Sequence, residues 1–211
     1  MRKLLFAAMV STAVAGAWDV GFNFRSSASF VTDPTSTTFV SMEQTRYPTT
    51  RTIGGQTVTF GWESVASSYA VRDRVTSYDP RVAGINCQSD AELSVFRVDL
   101  PAAGSYVLGL GIGDPSYGGT SHVVVLSGAS TSLLAVNVVN PANYVGDATG
   151  TLRVGTTWAS TNATVQRTFA STILRLQIGG QNDGAYSCIS HLRVTTAPAP
   201  AAVVSGQFFL Q

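Results

Sequence analysis

From residue 18 onward, apolar and polar positions follow a two-residue rhythm in short runs. Residues 20–24 (Val-Gly-Phe-Asn-Phe) alternate like an opening strand, and residues 36–40 and 56–60 look similar. Residues 93–98 (Leu-Ser-Val-Phe-Arg-Val) alternate apolar and polar side chains. Turn chemistry follows over 100–104, then a long strand over 105–113, and these two strands read as the clearest pair. Bulky residues in the second strand alternate with Gly109, Gly111 and Gly113, a pattern that marks close packing of another backbone or of a ligand. Residues 122–126 and 132–139 are β-branched and read as buried strands, separated by a turn at 140–143 from edge strands over 150–157 and 162–169. Residues 173–180 run into a glycine turn. Residues 188–194 form the last core strand, with Ile189, His191 and Arg193 on one face and Ser190, Leu192 and Val194 on the other. A long polar loop occupies 63–84. After Trp18 no window longer than about ten residues carries a helical apolar period. The pattern predicts an all-β fold: one antiparallel, jelly-roll-like β-sandwich in a single domain over residues 18–196.

Composition agrees with strands and turns. The chain has 211 residues, enough for one domain, with 45% hydrophobic and 12% charged residues against a usual charged share of about 25%. A net charge of +1 gives no basic face, which argues against nucleic-acid partners and against an electrostatic membrane anchor. Lys3 is the only lysine, so every later cation is arginine. Few charges also leave little self-repulsion against association.

Both ends differ from the middle. Arg2 and Lys3 precede an apolar run over 4–14 and the small residues Ala15-Gly16-Ala17, so residues 1–17 look like a secretory signal, or like an apolar arm kept for docking. No stretch reaches the about 18 apolar residues of a membrane span, so none is expected. Residues 197–202 form a Pro/Ala linker, and residues 203–211 form an apolar tail ending on Phe208, Phe209 and Leu210, which are candidates for assembly or for packing back on the domain. An exported chain permits a disulfide between Cys87 and Cys188; two buried free thiols are the alternative.

Catalytic signatures are missing. The two histidines, His122 and His191, sit in no triad pattern, and no G-x-S-x-G elbow, metal-binding H-E-x-x-H or phosphate loop occurs. The expected activity is therefore none and the expected cofactor none. A calcium ion held by loop oxygens of Asp79, Asp114 or Asp183 is one possible exception.

Several segments resemble galactose-binding-like β-sandwich domains, including modules of bacterial pectin-degrading enzymes and stand-alone bacterial and bacteriophage proteins. They are Phe96-Arg97-Val98-Asp99-Leu100-Pro101, Gly104-Ser105-Tyr106 and Gly113-Asp114-Pro115-Ser116-Tyr117, with Gly61-Trp62, Arg72-Asp73-Arg74, Asp79-Pro80-Arg81 and Gly84-Ile85-Asn86 upstream. Asn23-Phe24-Arg25 and Ser190-His191-Leu192-Arg193-Val194 extend the likeness to both ends of the domain. The resemblance implies a β-sandwich and leaves the ligand open.

Two functions follow as expectations. One is a non-catalytic, extracellular or cell-surface module that binds polysaccharide or another glycan, through Trp62, Arg72, Arg74, Tyr78, Tyr117 and Trp158. Aromatic faces and arginine forks suit sugars. The arginines and aspartates of 72–81 are equally suited to a salt-bridge network that pins the loop. The other function is a structural subunit of a virion surface or appendage, a homo-oligomer or part of a larger shell or filament locked through its apolar arms.

Overall fold

The computed structural model describes residues 17–25, 30–32, 38–41, 45–74, 84–155, 163–184 and 186–198. Within them are sixteen strands and no helix. They are β1 (Asp19–Asn23), β2 (Phe30–Thr32), β3 (Thr38–Ser41), β4 (Thr49–Ile53), β5 (Gln56–Ser64), β6 (Ala70–Asp73), β7 (Gly84–Ser89) and β8 (Leu93–Asp99). β9 (Gly104–Ile112), β10 (Gly119–Ser127), β11 (Thr131–Asn140), β12 (Tyr144–Gly146), β13 (Leu152–Val154), β14 (Val165–Phe169), β15 (Ile173–Gly179) and β16 (Tyr186–Thr196) complete them. Among the described residues no helix is long and apolar enough to cross a membrane.

The strands form two sheets, as an all-β sandwich requires. One runs β13-β12-β9-β16-β1-β3-β2, with β14 also on β9, and with β7 on β16 and β6 on β7; the other runs β11-β10-β15-β8-β5-β4. Pairing is antiparallel except between β1 and β3, which run parallel. β2 forms the sheet edge and β3 lies between it and β1, so β3 runs antiparallel to β2 and parallel to β1.

The core lies between the sheets. Phe22, Phe24, Phe60, Trp62 and Phe96 make mutual ring contacts with centroids 5.1–6.4 Å apart. Such edge-on packing adds to the burial of their large apolar surface. Around them Leu108, Leu110, Leu174, Leu176, Ile178 and Leu192 are fully buried. The domain closes where its ends meet: Thr196 N donates to Trp18 O at 2.8 Å and Trp18 N donates to Thr196 Oγ1 at 3.1 Å.

Three sequence readings change. The runs over 93–98 and 105–113 are β8 and β9, but they do not pair; β8 joins β5 and β15 in one sheet, and β9 joins β16 in the other. The connection between them is an arch over the sandwich edge, fastened by buried Leu100 and by Tyr106 Oη donating to Ala102 O at 2.8 Å. The supposed polar loop over 63–84 contains β6, which pairs with β7. Finally, a bulge between Ile189 and His191 breaks the alternation of the last strand, so Ile189 shares one core with Leu192 and Val194. The glycines of β9 report close packing: a Cβ on Gly111 would run into Ser190 Oγ and the His191 ring.

Charges are spent on pinning loops and sheet surfaces. Glu63 accepts from Arg175 Nε at 2.6 Å and Nη2 at 2.8 Å, and from Arg97 Nη1 at 3.2 Å. Arg175 above all, with Arg97, holds the Glu63 carboxyl below its ordinary range. Hydrogen bonds from Ser67 and Ser68 hold Glu92 down to about 2. Burial alone would raise Asp147, but hydrogen bonds from Thr149 and Arg153 outweigh it and the value falls. All three therefore bind protons more weakly folded than unfolded. They stabilise the fold above the ordinary carboxylate range of about 4, and this contribution drains as pH falls through the folded-state values. The urea midpoint is expected to hold near neutrality and fall steeply between about pH 4 and pH 2. Glu63→Gln should flatten part of that fall; an acid limb identical to wild type would remove Glu63 from the account.

Candidate functional site

Asn140 ends β11 and organises a cleft. Its Nδ2 donates to Tyr144 O at 2.8 Å and Asp114 O at 3.0 Å, with Pro141 O at 3.3 Å also in reach. One side chain thus fixes the loop after β9 to the loop after β11. Buried Asp114 on the first loop is capped by Ser116 N at 2.9 Å and receives Arg74 as a fork, through Nε at 3.2 Å and a close ion pair at Nη2. The Arg74 guanidinium also lies 4.9 Å from the centre of the Tyr117 ring. An arginine fork gripping a carboxylate while covering an aromatic face is held in one orientation.

These groups line a cleft of about 550 Å³. Ser68, Ala70, Arg72 and Arg74 form one wall, Tyr117, Gly118, Gly119 and Asn140 the other, and Tyr186 stands at the rim. The floor is the Cys87–Cys188 disulfide. Cys87 and Cys188 are direct partners in the antiparallel ladder between β7 and β16, with Cα atoms 4.2 Å apart. The disulfide is therefore formed, and the alternative of two free thiols is set aside. Tyr117 and Tyr186 are 64% and 58% exposed, so each offers a ring to solvent.

The structure sorts the sequence candidates. Arg72, Arg74, Tyr117 and Asp114 come together in the cleft. Trp62 does not: it is 1% exposed and packed among Phe24, Tyr69 and Phe96, so neither ring face can meet a sugar. Arg74 pairs with Asp114, forty residues away, and so ties the end of β6 to the loop after β9. Asp114 falls in a cluster with Cys87 and Cys188, and Asp183 in another with Asp90 and His122. Tyr78, Asp79, Arg81, Trp158, Phe208, Phe209 and Leu210 lie outside the described residues, as does the signal-like segment over 1–16.

Asp114 is the cleft's one carboxylate among the described residues, and it is ion-paired. Glycoside cleavage in its common form uses two carboxylates. What the cleft presents is an aromatic surface, a guanidinium, an amide and hydroxyls.

No protein-family model matches the chain, and comparison with curated proteins gives no match. Several solved structures show partial likeness. An exo-β-1,3-galactanase from Phanerochaete chrysosporium is 15% identical over 60% of this chain and 26% of its own, with a TM-score of 0.38. The plant receptor-like kinase FER is 12% identical over 86% of this chain and 43% of its own, with a TM-score of 0.45. A family 35 carbohydrate-binding module from Cellvibrio japonicus is 16% identical over 67% of this chain and 94% of its own, with a TM-score of 0.38. The chain spans under half the length of the first two.

Tyr186, Asn140 and Ser68 are cleft residues that the sequence patterns missed. Asn140 carried a signal, since an asparagine before proline initiates turns. Tyr186 and Ser68 carried none, because only the pairing of β6, β7 and β16 brings them to one place.

Proposed function

We propose that the protein is a non-catalytic glycan-binding β-sandwich whose site is the cleft over the disulfide. The observation that carries this reading is the pair of exposed tyrosines, Tyr117 and Tyr186, lining a cleft with a fixed arginine–aspartate fork. Sugars present apolar ring faces and polar edges, and such a site meets both. A disulfide persists in oxidising compartments, which supports an extracellular or cell-surface location for the module.

A second reading, a subunit of a virion surface or appendage, draws support from the β12–β13 hairpin. Tyr144 stands opposite Val154, and Leu152 opposite Gly146, so three exposed apolar side chains share one face at a sheet edge. Such a face favours association.

Screening the full chain on a glycan array identifies the ligand class. Tyr117→Ala should then weaken the best binder by roughly tenfold or more, the loss expected for a stacking aromatic in a small site. Arg72→Ala, at an exposed position, should weaken it with no change in thermal stability. An array with no binder, or affinities unmoved by both substitutions, would refute the cleft as a sugar site.

A further inference from the structure

We propose that Asp90, His122 and Asp183 form a site for a divalent transition metal of the zinc type. None of the three lines the cleft over the disulfide, and the proposal does not rest on the glycan reading. Asp90 sits in the turn after β7, His122 in β10, and Asp183 in the loop before β16. Their donor atoms all fall within 4.8 Å of one another.

One imidazole nitrogen faces both acids: His122 Nε2 is 2.5 Å from Asp183 Oδ1 and 3.7 Å from Asp90 Oδ2. That nitrogen carries at most one proton, so it cannot serve two carboxylates. Even with the ring protonated, two anions and one cation leave a negative charge. Among the described residues neither aspartate has an arginine or lysine partner. Asp90 is wholly buried, and its support is neutral: Ser187 Oγ at 2.5 Å, Asp183 N at 3.2 Å and the backbone of Gly184. Burying net charge is expensive unless a counter-charge accompanies it, and a divalent cation supplies one.

The spacing suits such an ion. Tetrahedral ligands about 2.0–2.2 Å from zinc stand about 3.3–3.5 Å from each other. The Asp90–His122 separation is already close to that. Asp183, whose side chain is 55% exposed, has room to step back from the ring.

A separate observation points to a ligand. Gln88 is wholly buried, and its Oε1 has no hydrogen-bond partner. Its Nε2 is already committed to Ile178 O at 2.8 Å and Glu92 O at 2.9 Å. Gln88 is the direct partner of Ser187 in the β7–β16 ladder, so both side chains leave the same face of that sheet, and Ser187 is the residue that holds Asp90. A buried acceptor left without a donor on the sheet face that holds Asp90 marks a place for a further polar group there. A cavity of about 230 Å³ lined by His122, Gln181 and Asp183 provides a route in. The imidazole selects zinc, copper or nickel over calcium and magnesium, which prefer oxygen alone.

The test is calorimetric titration of zinc chloride into the untagged, chelator-stripped full chain, with calcium chloride in parallel. One zinc per chain is expected, with little or no calcium heat and a raised melting temperature. The chain has two histidines, so NMR of the ring protons resolves the ligand: zinc should shift the His122 signals and leave His191 unchanged. Asp183→Asn, at an exposed position, should weaken zinc by roughly tenfold or more, and His122→Gln should abolish it. The proposal fails if zinc does not bind stoichiometrically, if neither ring signal moves, or if Asp183→Asn binds as wild type does. Stoichiometric binding of calcium in place of zinc would overturn the transition-metal assignment. Should His122→Gln not fold, the wild-type spectrum and Asp183→Asn still decide.

Discussion

Trp62→Ala should lower stability by about 3–5 kcal/mol, the usual result of truncating a large buried aromatic. For a domain of this size that moves the melting temperature down by roughly 6–20 °C. The ring is 1% exposed and lies 5.2 Å from Phe96, 5.3 Å from Tyr69 and 5.6 Å from Phe24, so alanine leaves a cavity bounded by rigid rings that cannot easily collapse. Trp62→Phe should cost much less. It keeps most of the packing and removes Nε1, a buried donor with no hydrogen-bond acceptor. Urea titrations followed by circular dichroism measure both. Glycan affinity of the folded fraction should stay unchanged in either variant, because the ring does not line the cleft. Weakened binding with full stability would mean that the tryptophan reaches ligand after all.

Trp62 also shows what the sequence contained and how it was misread. Val58, Phe60 and Trp62 are spaced by two, so one strand face carries all three into the core. The polar residues Glu63 and Ser64 that follow the tryptophan mark the strand's end. Where alternation was unbroken, as in β8 and β15, the sequence located strands to within a residue or two. It could not tell a hairpin from an arch. The segment 100–104 has turn chemistry in both cases, and what sends β9 to the other sheet is its seven-residue ladder with β16, about eighty positions onward. The cleft was half legible. Arg72, Arg74, Asp114 and Tyr117 stood out as charged or aromatic residues in polar segments, yet their meeting depends on long-range pairing of β6, β7 and β16. His122 read as a strand residue without partners, because Asp90 and Asp183 approach it from turns distant in sequence.

Removing the disulfide should cost about 4 kcal/mol and should damage the cleft beyond that global loss. Cys87 and Cys188 are 101 residues apart, and cross-linking a loop of about that length restricts the unfolded chain by up to roughly 4.7 kcal/mol in the chain-entropy view. The local effect follows from the sheet order. Among the described residues β6 pairs only with β7, and β7 is joined to the rest of its sheet through the short ladder of Asn86–Ser89 against Tyr186–Ile189. The cross-link sits inside that ladder, so it ties β7 to β16 and through β7 holds β6, which carries Ala70 and Arg72 and is flanked by Ser68 and Arg74, against the cleft. With both cysteines changed to alanine, the covalent tie is gone and these strands are held by backbone hydrogen bonds, by the bonds of Gln88 and Ser68, and by the Arg74–Asp114 pair, which faces solvent on one side. The double variant should therefore unfold at lower urea. At temperatures where it remains folded, it should exchange the amide hydrogens of β6 and β7 faster than those of β8 and β15. Glycan affinity should fall with that local opening. Equal protection in all four strands, with only the urea midpoint lowered, would show that the cross-link acts on the unfolded chain alone and that the cleft wall is held by the sheet itself.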